Sequence, residues 1–506
     1  QNVLDAFHEQ VLRFGDRIAV IAQDESVTYR ELATRTAAVA NYLAPRVAHE
    51  EVVGVYTTRS VDMVAATLGI WQAGCAYLPM DANDPPQRSL RILGIAECKV
   101  VLAHSELIAN LETLSGDEPG YVKPLFVDMR GLPELDAPVE SPLIRPDEKS
   151  LAYVMFTSGS SGEPKGVEIQ HDSLYTFLHA CRDLIGFSSE DCFLAVTTIG
   201  FDVSIAELFI PLTSGGSILL RSQELLHSPE RLAAEIRAHE VTVFQAVATI
   251  WALIVEEHTE FPRLRIAMNM GEAISNELAA RLLPLADQVW NMYGPTEATV
   301  YACACQITRD VLGVDPPPGL SAPIGRALNN ATCLILDSQG QAVSTGERGE
   351  LYIAGPAVAR GYRNAPELTG RSFVQLESGI GRAYRTGDVV ALREDGELLY
   401  FGRNDDQVKV RGQRVEPGEV RAALMEHPAV SQAAVTWFNK TNETRSLVAA
   451  IVNAQGYAPD PESLRAWLNA RLRPQMVPEC LLFPSELPRL PNKKIDNQQI
   501  RLDALA

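Results

Sequence analysis

The sequence predicts an α/β protein with a large amino-terminal subdomain of parallel-rich sheets packed with helices, and a small carboxy-terminal α+β subdomain. Over the first ~400 residues, strand-like apolar runs alternate with helix-like runs, which is typical of parallel sheets covered by helices. Near residue 402 a polar stretch with both charge signs interrupts this alternation. The last ~100 residues are enough for a small unit with its own core.

The first elements show the alternation clearly. In "VTYRELATRTAAVANYLA" (27–44), Thr28 is followed three residues later by Glu31, the pattern of a capping box at a helix start. "VVGVY" (52–56) is apolar throughout and predicts a buried strand. We expect the next helix to start at Ser60 and to end near Gly74, after which "CAYLPMD" returns to a strand.

The last part of the chain predicts a separate small unit. A helix is expected to open at Pro417, because proline is favoured in the first turn of a helix. "QAAVTWF" (432–438) and "LVAAIVNA" (447–454) read as strands. A later helix would carry one apolar face made of Leu464, Trp467, Leu468 and Leu472. We place the boundary at Asp405, which divides the chain into residues 1–404 and 405–506.

Composition excludes several classes of function. The 506 residues include 44 Lys and Arg against 64 Asp and Glu, a net charge of −20, which argues against nucleic-acid or anionic-membrane partners. There is no apolar run long enough to span a bilayer and no signal peptide, so we expect a cytoplasmic protein. None of the eight cysteines forms a CxxC pair, which favours reduced, mostly buried thiols over a zinc site.

The loop "FTSGSSGEPKG" (156–166) is rich in glycine and hydroxyl groups. It is not a Walker A loop, because Pro164 precedes Lys165 and Gly166 follows it, so the second glycine and the magnesium-binding hydroxyl are missing from their places. The strand-like runs "LAYVMF" and "GVEIQ" flank it, which predicts a flap between two strands. Its hydroxyls, its amides and Lys165 could hold polyphosphate, and a plain flexible linker is the alternative.

Ten motifs along the chain, in this order, carry a resemblance to a known family. They are "VTYREL" (27–32), "WQAGCAYLPMD" (71–81), the loop just described, "FDVS" (201–204), "NMYGPTEATV" (291–300), "GELYIAGPAVARGY" (349–362), "YRTGDVV" (384–390), "GRNDDQVKVRGQRVEPGEV" (402–420), "LRPQMVP" (472–478) and "NKKIDN" (492–497). The chain resembles the ATP-dependent adenylate-forming superfamily and, within it, the adenylation domains of nonribosomal peptide synthetases.

The resemblance implies a two-step reaction. A carboxylate attacks the α-phosphate of ATP to give an acyl-adenylate and pyrophosphate, and the phosphopantetheine thiol of a carrier protein then takes the acyl group. ATP, Mg²⁺ and the phosphopantetheine of a partner peptidyl carrier protein are the implied cofactors, with a condensation domain as a neighbour in a larger synthetase. Negative charge builds up on the phosphate, so cations and hydrogen-bond donors are expected around it.

The resemblance also implies roles for individual residues. Lys494 would bridge the substrate carboxylate and the α-phosphate, Thr296 would reach the phosphate, and Glu297 would bind Mg²⁺. Tyr293 would stack on adenine and Asn291 would read its edge. Asp388 would accept the ribose hydroxyls, and Arg403 would reach the ribose and phosphate. The further ATP-binding positions are Thr157, Ser158, Gly159, Ser160, Ser161, Gly162, Lys165, Gly271, Glu272 and Ala273. Lys493 stands where the family commonly has glycine, and alignment on Asn492 and on Ile495–Asp496 favours Lys494 as the catalytic lysine.

The implied substrate is an amino acid. Asp202 of "FDVS" would pair with the substrate ammonium, since a buried carboxylate needs a cation; capping of the following helix is the alternative. The implied side-chain pocket is Val203, Ala206, Gln245, Met268, Met270, Met292, Val300 and Tyr301. No member is charged, and Gln245 or Tyr301 could meet a polar group. We expect a neutral, long or bulky L-α-amino acid; an N-acylated ornithine of the siderophore type and a large aromatic residue both fit.

Two other functions stay open at this point. One is an acyl- or aryl-CoA ligase of the same superfamily, and the other is a silent homologue that acts only as a docking module. Neither an HHxxxDG condensation motif nor a GGxS attachment site after residue 497 occurs, so we expect one domain of a larger synthetase, with its carrier elsewhere. In the family's domain alternation, the small subdomain would turn about a hinge at Asp405, and the segment around Gly412 would face the active site in the thiol-transfer state.

Overall fold

The computed structural model describes residues 2–112, 123–132, 146–159, 162–257, 260–313, 321–376, 379–440, 444–457, 460–490 and 495–505. Within these ranges the alternation of strands and helices is observed. No helix among them has the length and apolar character needed to cross a membrane.

The large subdomain contains the following strands. They are β1 Ile18–Ile21, β2 Ser26–Thr28, β3 Val52–Tyr56, β4 Ala76–Pro79, β5 Val100–Ala103, β6 Leu125–Asp128, β7 Leu151–Thr157, β8 Lys165–Gln170, β9 Cys192–Ala195, β10 Ser217–Leu220, β11 Val243–Ala246, β12 Leu264–Asn269, β13 Ala286–Tyr293, β14 Cys303–Ile307, β15 Arg326–Ala327, β16 Thr332–Leu336, β17 Arg348–Ala354, β18 Gly361–Tyr362, β19 Phe373–Leu376, β20 Gly381–Leu392 and β21 Leu398–Arg403.

Its helices are α1 Val3–Phe14, α2 Tyr29–Leu43, α3 Val61–Gln72, α4 Pro86–Ala96, α5 Ser105–Glu112, α6 His171–Ile185, α7 Ser204–Leu212, α8 Pro229–Ala238, α9 Ala248–Glu256, α10 Asn276–Leu282, α11 Arg309–Leu312 and α12 Pro366–Ser372. The small subdomain contains β22 Val408–Val410, β23 Gln413–Val415, α13 Pro417–Met425, β24 Val430–Asn439, β25 Arg445–Asn453, α14 Pro461–Asn469, β26 Cys480–Leu482 and α15 Asn497–Asp503.

Two of the sheets in the large subdomain are mostly parallel, as predicted. One has the order β15-β14-β13-β12-β11-β9-β10-β1-β2, with parallel pairing from β13 through β1. The other has the order β18-β8-β7-β4-β3-β5-β6, with parallel pairing from β7 through β6. A third, antiparallel sheet has the order β16-β17-β20-β19, with β21 paired to β20. The carboxyl ends of parallel strands therefore gather at sheet edges, where ligand sites form.

Local sequence signals set the boundaries of several elements. The capping box of α2 is confirmed, because Thr28 accepts a hydrogen bond from the amide of Glu31 and Glu31 accepts one in return. Helix α3 begins directly after Ser60 and ends shortly before Gly74, as predicted. It is buried along nearly its whole length, and Trp71 Nε1 donates to the carbonyl of Ala152 on β7 at 2.7 Å. This contact anchors the strand that leads into the glycine-rich loop.

The two strands predicted around that loop are present. Strand β7 ends at Thr157 and the antiparallel β8 begins at Lys165, so the pair is a hairpin. Ser160 and Ser161 lie outside the described residues. The hairpin pairing brings Thr157 opposite Lys165, which places the only lysine of this loop at its base.

The small subdomain has its own core, as its sequence predicts. Leu464, Leu468 and Leu472 are buried in it and Trp467 packs against it. The β22–β23 hairpin belongs to the same core through Val408, Val410 and Val415. Asp405 lies in the connection between β21 and β22, and its role as the hinge stays a prediction. All eight cysteines are free thiols, and six of them are buried, as expected for mostly buried thiols.

Candidate active site

A cavity of about 440 Å³ lies where the two subdomains meet. Its walls come from the ends of β7 and β13, from the segments that follow β12 and precede α7, from β20 and β21, and from the β22–β23 hairpin of the small subdomain. Of the residues singled out from the sequence, those that line it are Thr157, Ser158, Asp202, Val203, Met270, Gly271, Glu272, Ala273, Asn291, Met292, Tyr293, Thr296, Val300, Tyr301, Asp388, Arg403 and Asp405.

Other predicted residues lie elsewhere. Ala206, Gln245 and Met268 are fully buried and do not line the cavity; they form its backing. Lys165 lines a neighbouring cleft of about 940 Å³, which also reaches Arg403 and Arg414. Lys494, the predicted catalytic lysine, lies outside the described residues, as does Lys493.

One end of the cavity carries the residues predicted for the nucleoside. Asp388 accepts hydrogen bonds from Arg403 Nη1 at 2.9 Å and from the hydroxyl of Tyr293. The antiparallel pairing of β20 with β21 places Asp388 opposite Arg403. Arg403 also grips both oxygens of Asp405, at 2.6 and 2.7 Å. Burial alone would lower the pKa of Arg403, but the hydrogen bond to Asp405 and the charge of Asp388 raise it above its usual value.

Asn291 is held rigidly at this end. Its Nδ2 donates to the carbonyl of Pro323 at 2.8 Å, and its Oδ1 accepts from Nδ2 of Asn269 at 2.8 Å. The side chain is buried, so its orientation is set by the protein before any ligand arrives.

Glu297, the predicted magnesium ligand, is held by a basic side chain of the small subdomain. Its two carboxylate oxygens each lie 2.9 Å from Nη1 of Arg414, and Oε1 accepts from the hydroxyl of Tyr362 at 2.6 Å. Lys165 Nζ lies 3.8 Å away. Burial would raise the pKa of Glu297, but the charges of Arg414 and Lys165 lower it to about 2. Burial and the charge of Arg414 lower the pKa of Lys165 to about 8.

The donor set at Glu297 suits magnesium. Among the described residues, no group of three or more His, Cys, Asp or Glu side chains is arranged to hold a metal ion. A single carboxylate is what Mg²⁺ uses when phosphates and water supply its other ligands. Since Arg414 bonds to both oxygens of Glu297 in this arrangement, the cation and Arg414 would contact the same carboxylate.

The β22–β23 hairpin enters the site with two cations on one face. Lys409 and Arg414 are cross-strand neighbours, so their side chains project from the same side of the hairpin. Lys409 lines the cavity, where burial lowers its pKa and the charges of Asp388 and Asp202 oppose that shift. Sequence reasoning assigned no role to either residue, although the spacing around Gly412 in "VKVRGQRV" could have shown that they share a face.

Gly412 forms the tip of that hairpin. Its amide donates to Glu272 Oε1 at 2.7 Å, and Glu272 Oε2 accepts from the amide and hydroxyl of Thr249 at 3.0 and 2.8 Å. Glu272 therefore links the hairpin to the large subdomain. Gly412 has a φ of +76°, and a Cβ there would lie 2.3 Å from a methyl group of Val247, so only glycine fits.

Buried ion pairs between the two subdomains stabilise the arrangement in which Gly412 contacts Glu272. Arg88 on α4 donates to Glu419 on α13 at 2.6 Å. Arg473 holds both oxygens of Asp84 at 2.8 to 3.0 Å, and all four side chains are at least nine-tenths buried. Ser158 adds a hydrogen bond to the carbonyl of Arg414 at 2.8 Å.

Asp202 lines the cavity together with a group of mostly apolar side chains. Burial raises the pKa of Asp202 to about 6, while a hydrogen bond from Thr296 and the charge of Lys409 oppose the rise. The N-cap of α7 is Val203, with no side-chain capping bond, so helix capping by Asp202 is not observed. The apolar walls are Val203, Met270, Met292 and Val300, with Tyr301 among them.

Comparison with known proteins identifies the family. The model of the AMP-binding enzyme family matches residues 7–363, and that of the AMP-binding enzyme C-terminal domain matches residues 419–494. The chain is 35% identical over 515 residues to a dimodular nonribosomal peptide synthase of Bacillus subtilis (strain 168), covering 99% of this chain and 21% of that protein. It is 33% identical over 526 residues to the malpinin synthetase of Mortierella alpina, covering 99% of this chain and 7% of that protein. The chain thus spans about a fifth of the length of the first relative, and less of the second.

Solved structures agree with this assignment. A four-domain nonribosomal peptide synthetase bound to AMP and glycine matches with a TM-score of 0.71 and 33% identity, over 98% of this chain and 36% of that one. A nonribosomal peptide synthetase protein with adenylation and PCP domains, bound to a vinylsulfonamide inhibitor, matches with a TM-score of 0.83 and 25% identity, over 98% and 83%. The chain belongs to the AMP-binding enzyme family, as an ATP-dependent, AMP-forming ligase.

Proposed function

We propose that this chain is an adenylation domain that activates an amino acid with ATP and passes it to the phosphopantetheine thiol of a peptidyl carrier protein. The observation that carries the proposal is the placement of Asp202. It lines the same cavity as the apolar side chains of Val203, Met270, Met292 and Val300 and as the predicted ribose carboxylate Asp388. A partly buried carboxylate beside apolar walls suits a ligand that brings its own cation, such as an α-ammonium group.

The first step needs the residues at the nucleoside end. Tyr293 would contact adenine and Asp388 the ribose, while Arg403, which already bonds to Asp388, would stay beside the phosphate. Mg²⁺, held by Glu297 and the phosphates of ATP, would offset the charge that builds up as the carboxylate attacks the α-phosphate. Lys494 would add a further cation at the reacting oxygens.

The second step needs the small subdomain in another position. We propose that the observed arrangement belongs to thiol transfer, with the hinge at Asp405, because Gly412 and its hairpin contact Glu272 and Gly271 at the cavity wall. The carrier's thiolate sulfur would attack the carbonyl carbon of the aminoacyl-adenylate. A thioester bond forms, the bond from that carbon to the phosphate oxygen breaks, and AMP leaves.

The substrate is proposed to be a neutral, long or bulky L-α-amino acid. The walls Val203, Met270, Met292 and Val300 offer no opposite charge to an ionised side chain, and methionine walls adapt to irregular shapes. An N-acylated ornithine and a large aromatic residue both meet this description.

ATP–pyrophosphate exchange with a panel of acids tests the proposal. The panel pairs each amino acid with the carboxylic acid that lacks the α-amino group. We expect exchange with the amino acid and a loss of at least about a hundredfold with its deaminated partner, because Asp202 would then be left without its cation. Exchange that prefers the deaminated acids would instead indicate an acyl- or aryl-CoA ligase, and no exchange with any acid would indicate a docking module.

A further inference from the structure

A network of hydrogen bonds joins the cavity-lining residues Tyr301 and Val203 to the buried side chains of Gln245 and Glu207. The hydroxyl of Tyr301 donates to Oε1 of Gln245 at 2.8 Å. The amide nitrogen of Gln245 donates to the carbonyl of Val203 at 3.0 Å and to Oε1 of Glu207 at 2.9 Å. Gln245, Glu207 and Tyr301 are fully or almost fully buried, so these bonds are not exchanged with solvent.

The partners of Gln245 settle the direction of every bond in the network. The carbonyl of Val203 can only accept, so the amide nitrogen of Gln245 must face it and Oε1 must face Tyr301. An amide oxygen can only accept, so the hydroxyl of Tyr301 must be the donor in their bond. The opposite orientation of the amide would set two oxygens against each other at Val203.

Glu207 holds this orientation in place. Its carboxylate accepts from the amide of Thr197 at 3.0 Å and from the Thr197 hydroxyl at 2.6 Å, in addition to Gln245. Burial raises the pKa of Glu207, and the nearby guanidinium of Arg59 opposes the rise. The two terminal nitrogens of the Arg59 guanidinium donate hydrogen bonds to the carbonyls of Thr197 and Ala195.

Every polar hydrogen of Gln245 and Tyr301 in this hydrogen-bond network therefore already has an acceptor. Both amide hydrogens of Gln245 and the hydroxyl hydrogen of Tyr301 have partners, and a phenol has one hydrogen to give. The two oxygens of Tyr301 and Gln245 keep the capacity to accept a further hydrogen bond, and of these two residues it is Tyr301 that lines the cavity. The apolar side chains that line the cavity with Tyr301 include those of Val203, Met270, Met292 and Val300, and these carry no donor.

We propose that the substrate side chain carries a hydrogen-bond donor, an O–H or N–H group, which is accepted at Tyr301. This inference rests on the proposed function, and it narrows the substrate class from neutral and bulky to neutral, bulky and bearing a side-chain donor. An indole N–H, a phenol O–H and the N–H of an acylated ornithine all qualify. A side chain that ends in an ether, a thioether or a halogen would place its own lone pairs against those of the protein, and a purely apolar one would leave a buried acceptor without a partner.

The test is ATP–pyrophosphate exchange with near-isosteric pairs that differ only in the donor. Suitable pairs are tryptophan against 3-benzothienylalanine, tyrosine against 4-fluorophenylalanine, and Nδ-acetylornithine against the corresponding ester. In the pair that contains the best substrate, we expect kcat/KM to be at least about tenfold higher for the donor member. Tyr301→Phe, checked for an unchanged melting temperature, should bring that ratio to within about threefold of one.

A second variant is expected to turn the Tyr301 hydroxyl from an acceptor into a donor toward the substrate. Gln245→Met removes the acceptor of the Tyr301 hydroxyl, which frees that hydrogen for the substrate. The kcat/KM of analogues that carry an acceptor in place of the donor should therefore be higher in this variant than in the native protein. A native preference for the member without a donor would overturn the inference while leaving amino-acid activation intact, and so would an unchanged ratio in Tyr301→Phe. If Gln245→Met does not fold, the inference is still tested by the kcat/KM ratios of the substrate pairs in the native protein and in Tyr301→Phe. No exchange with any amino acid would overturn the proposed function, and the inference with it.

Discussion

Arg414 of the small subdomain donates to both carboxylate oxygens of Glu297, at 2.9 Å each, across 117 residues of sequence. Glu297 is fully buried and Arg414 partly so, and Glu297 is the residue proposed to bind Mg²⁺. A guanidinium and a magnesium ion would therefore contact the same carboxylate in the two steps of the reaction. With Mg²⁺ at Glu297, this relationship would tie the position of the small subdomain to the occupancy of the ATP site.

Arg414→Gln should shift the protein away from the observed arrangement. Removing one partner of a buried ion pair costs about 3–5 kcal/mol in the state that contains it, and the state that binds Mg²⁺ at Glu297 does not need the pair. We expect thioester formation on a carrier protein to fall at least about tenfold while ATP–pyrophosphate exchange is kept, with half-maximal exchange at a lower Mg²⁺ concentration. Arg411→Gln, an exposed change on the same hairpin, is the matched control; equal losses in both reactions would contradict the expectation.

Gly412→Ala should prevent the hairpin from seating. The added methyl group would lie 2.3 Å from Val247 Cγ1, at a backbone φ of +76° that alanine rarely adopts. Thioester formation should therefore fall while exchange and melting temperature change little. Gly456→Ala, at another positive φ in the small subdomain with open space around it, controls for backbone strain alone. A variant that transfers at the native rate would show that the seated hairpin is not used in that step.

Arg473→Met should loosen the contact between the subdomains. Arg473 holds both oxygens of Asp84 from a separation of 389 residues, and the methionine keeps much of the volume while leaving the Asp84 carboxylate without its partner. We expect Arg473→Met to lower the rate of carrier loading and Asp84→Asn to lower it by a similar factor. The double variant should load no more slowly than either single variant. Additive losses in this double-mutant cycle, measured as loading rates, would mean that the two residues act separately. Arg421→Ala, at an exposed position on α13, serves as the control.

The amino acid should bind more weakly in acid. Burial raises the pKa of Asp202 to about 6, so its ionised form predominates above that pH and is lost as the pH falls through it. Since only the ionised form attracts an ammonium group, KM for the amino acid should rise as the pH drops from 7 to 5, whereas KM for ATP should not follow the same curve. Asp202→Asn should bind the amino acid poorly at every pH in this range. A native KM that stays constant across it would rule out the proposed ion pair.

Lys494→Ala should abolish most adenylate formation and leave the fold and much of the ATP binding intact. The lysine is proposed to act on the transition state, so its loss should appear in kcat more than in nucleotide affinity. Lys493→Ala is the neighbouring control and should be mild. Exchange that survives within about threefold in Lys494→Ala would disprove the assignment.

Much of this protein could be predicted from local patterns in its chain. The capping box of Thr28 and Glu31, the helix after Ser60 and the strands on both sides of the glycine-rich loop all follow from signals a few residues long. Such signals act through backbone geometry and short-range hydrogen bonds, which the sequence encodes directly. The order of the motifs likewise identifies the family without a structure.

The contacts that distinguish this site were decided by tertiary structure. Arg414 with Glu297, Arg473 with Asp84, and Tyr301 with Gln245 join residues separated by 117, 389 and 56 positions. No periodicity in the sequence records which of many arginines will meet which carboxylate, because that depends on how sheets and subdomains pack. For the same reason the sequence could name Gln245 and Tyr301 as possible polar contacts, but not the direction of their hydrogen bonds. Only the packed structure decided that Tyr301 donates to Gln245 and that Gln245 donates to Val203 and Glu207. The polar groups left for a substrate are therefore acceptors.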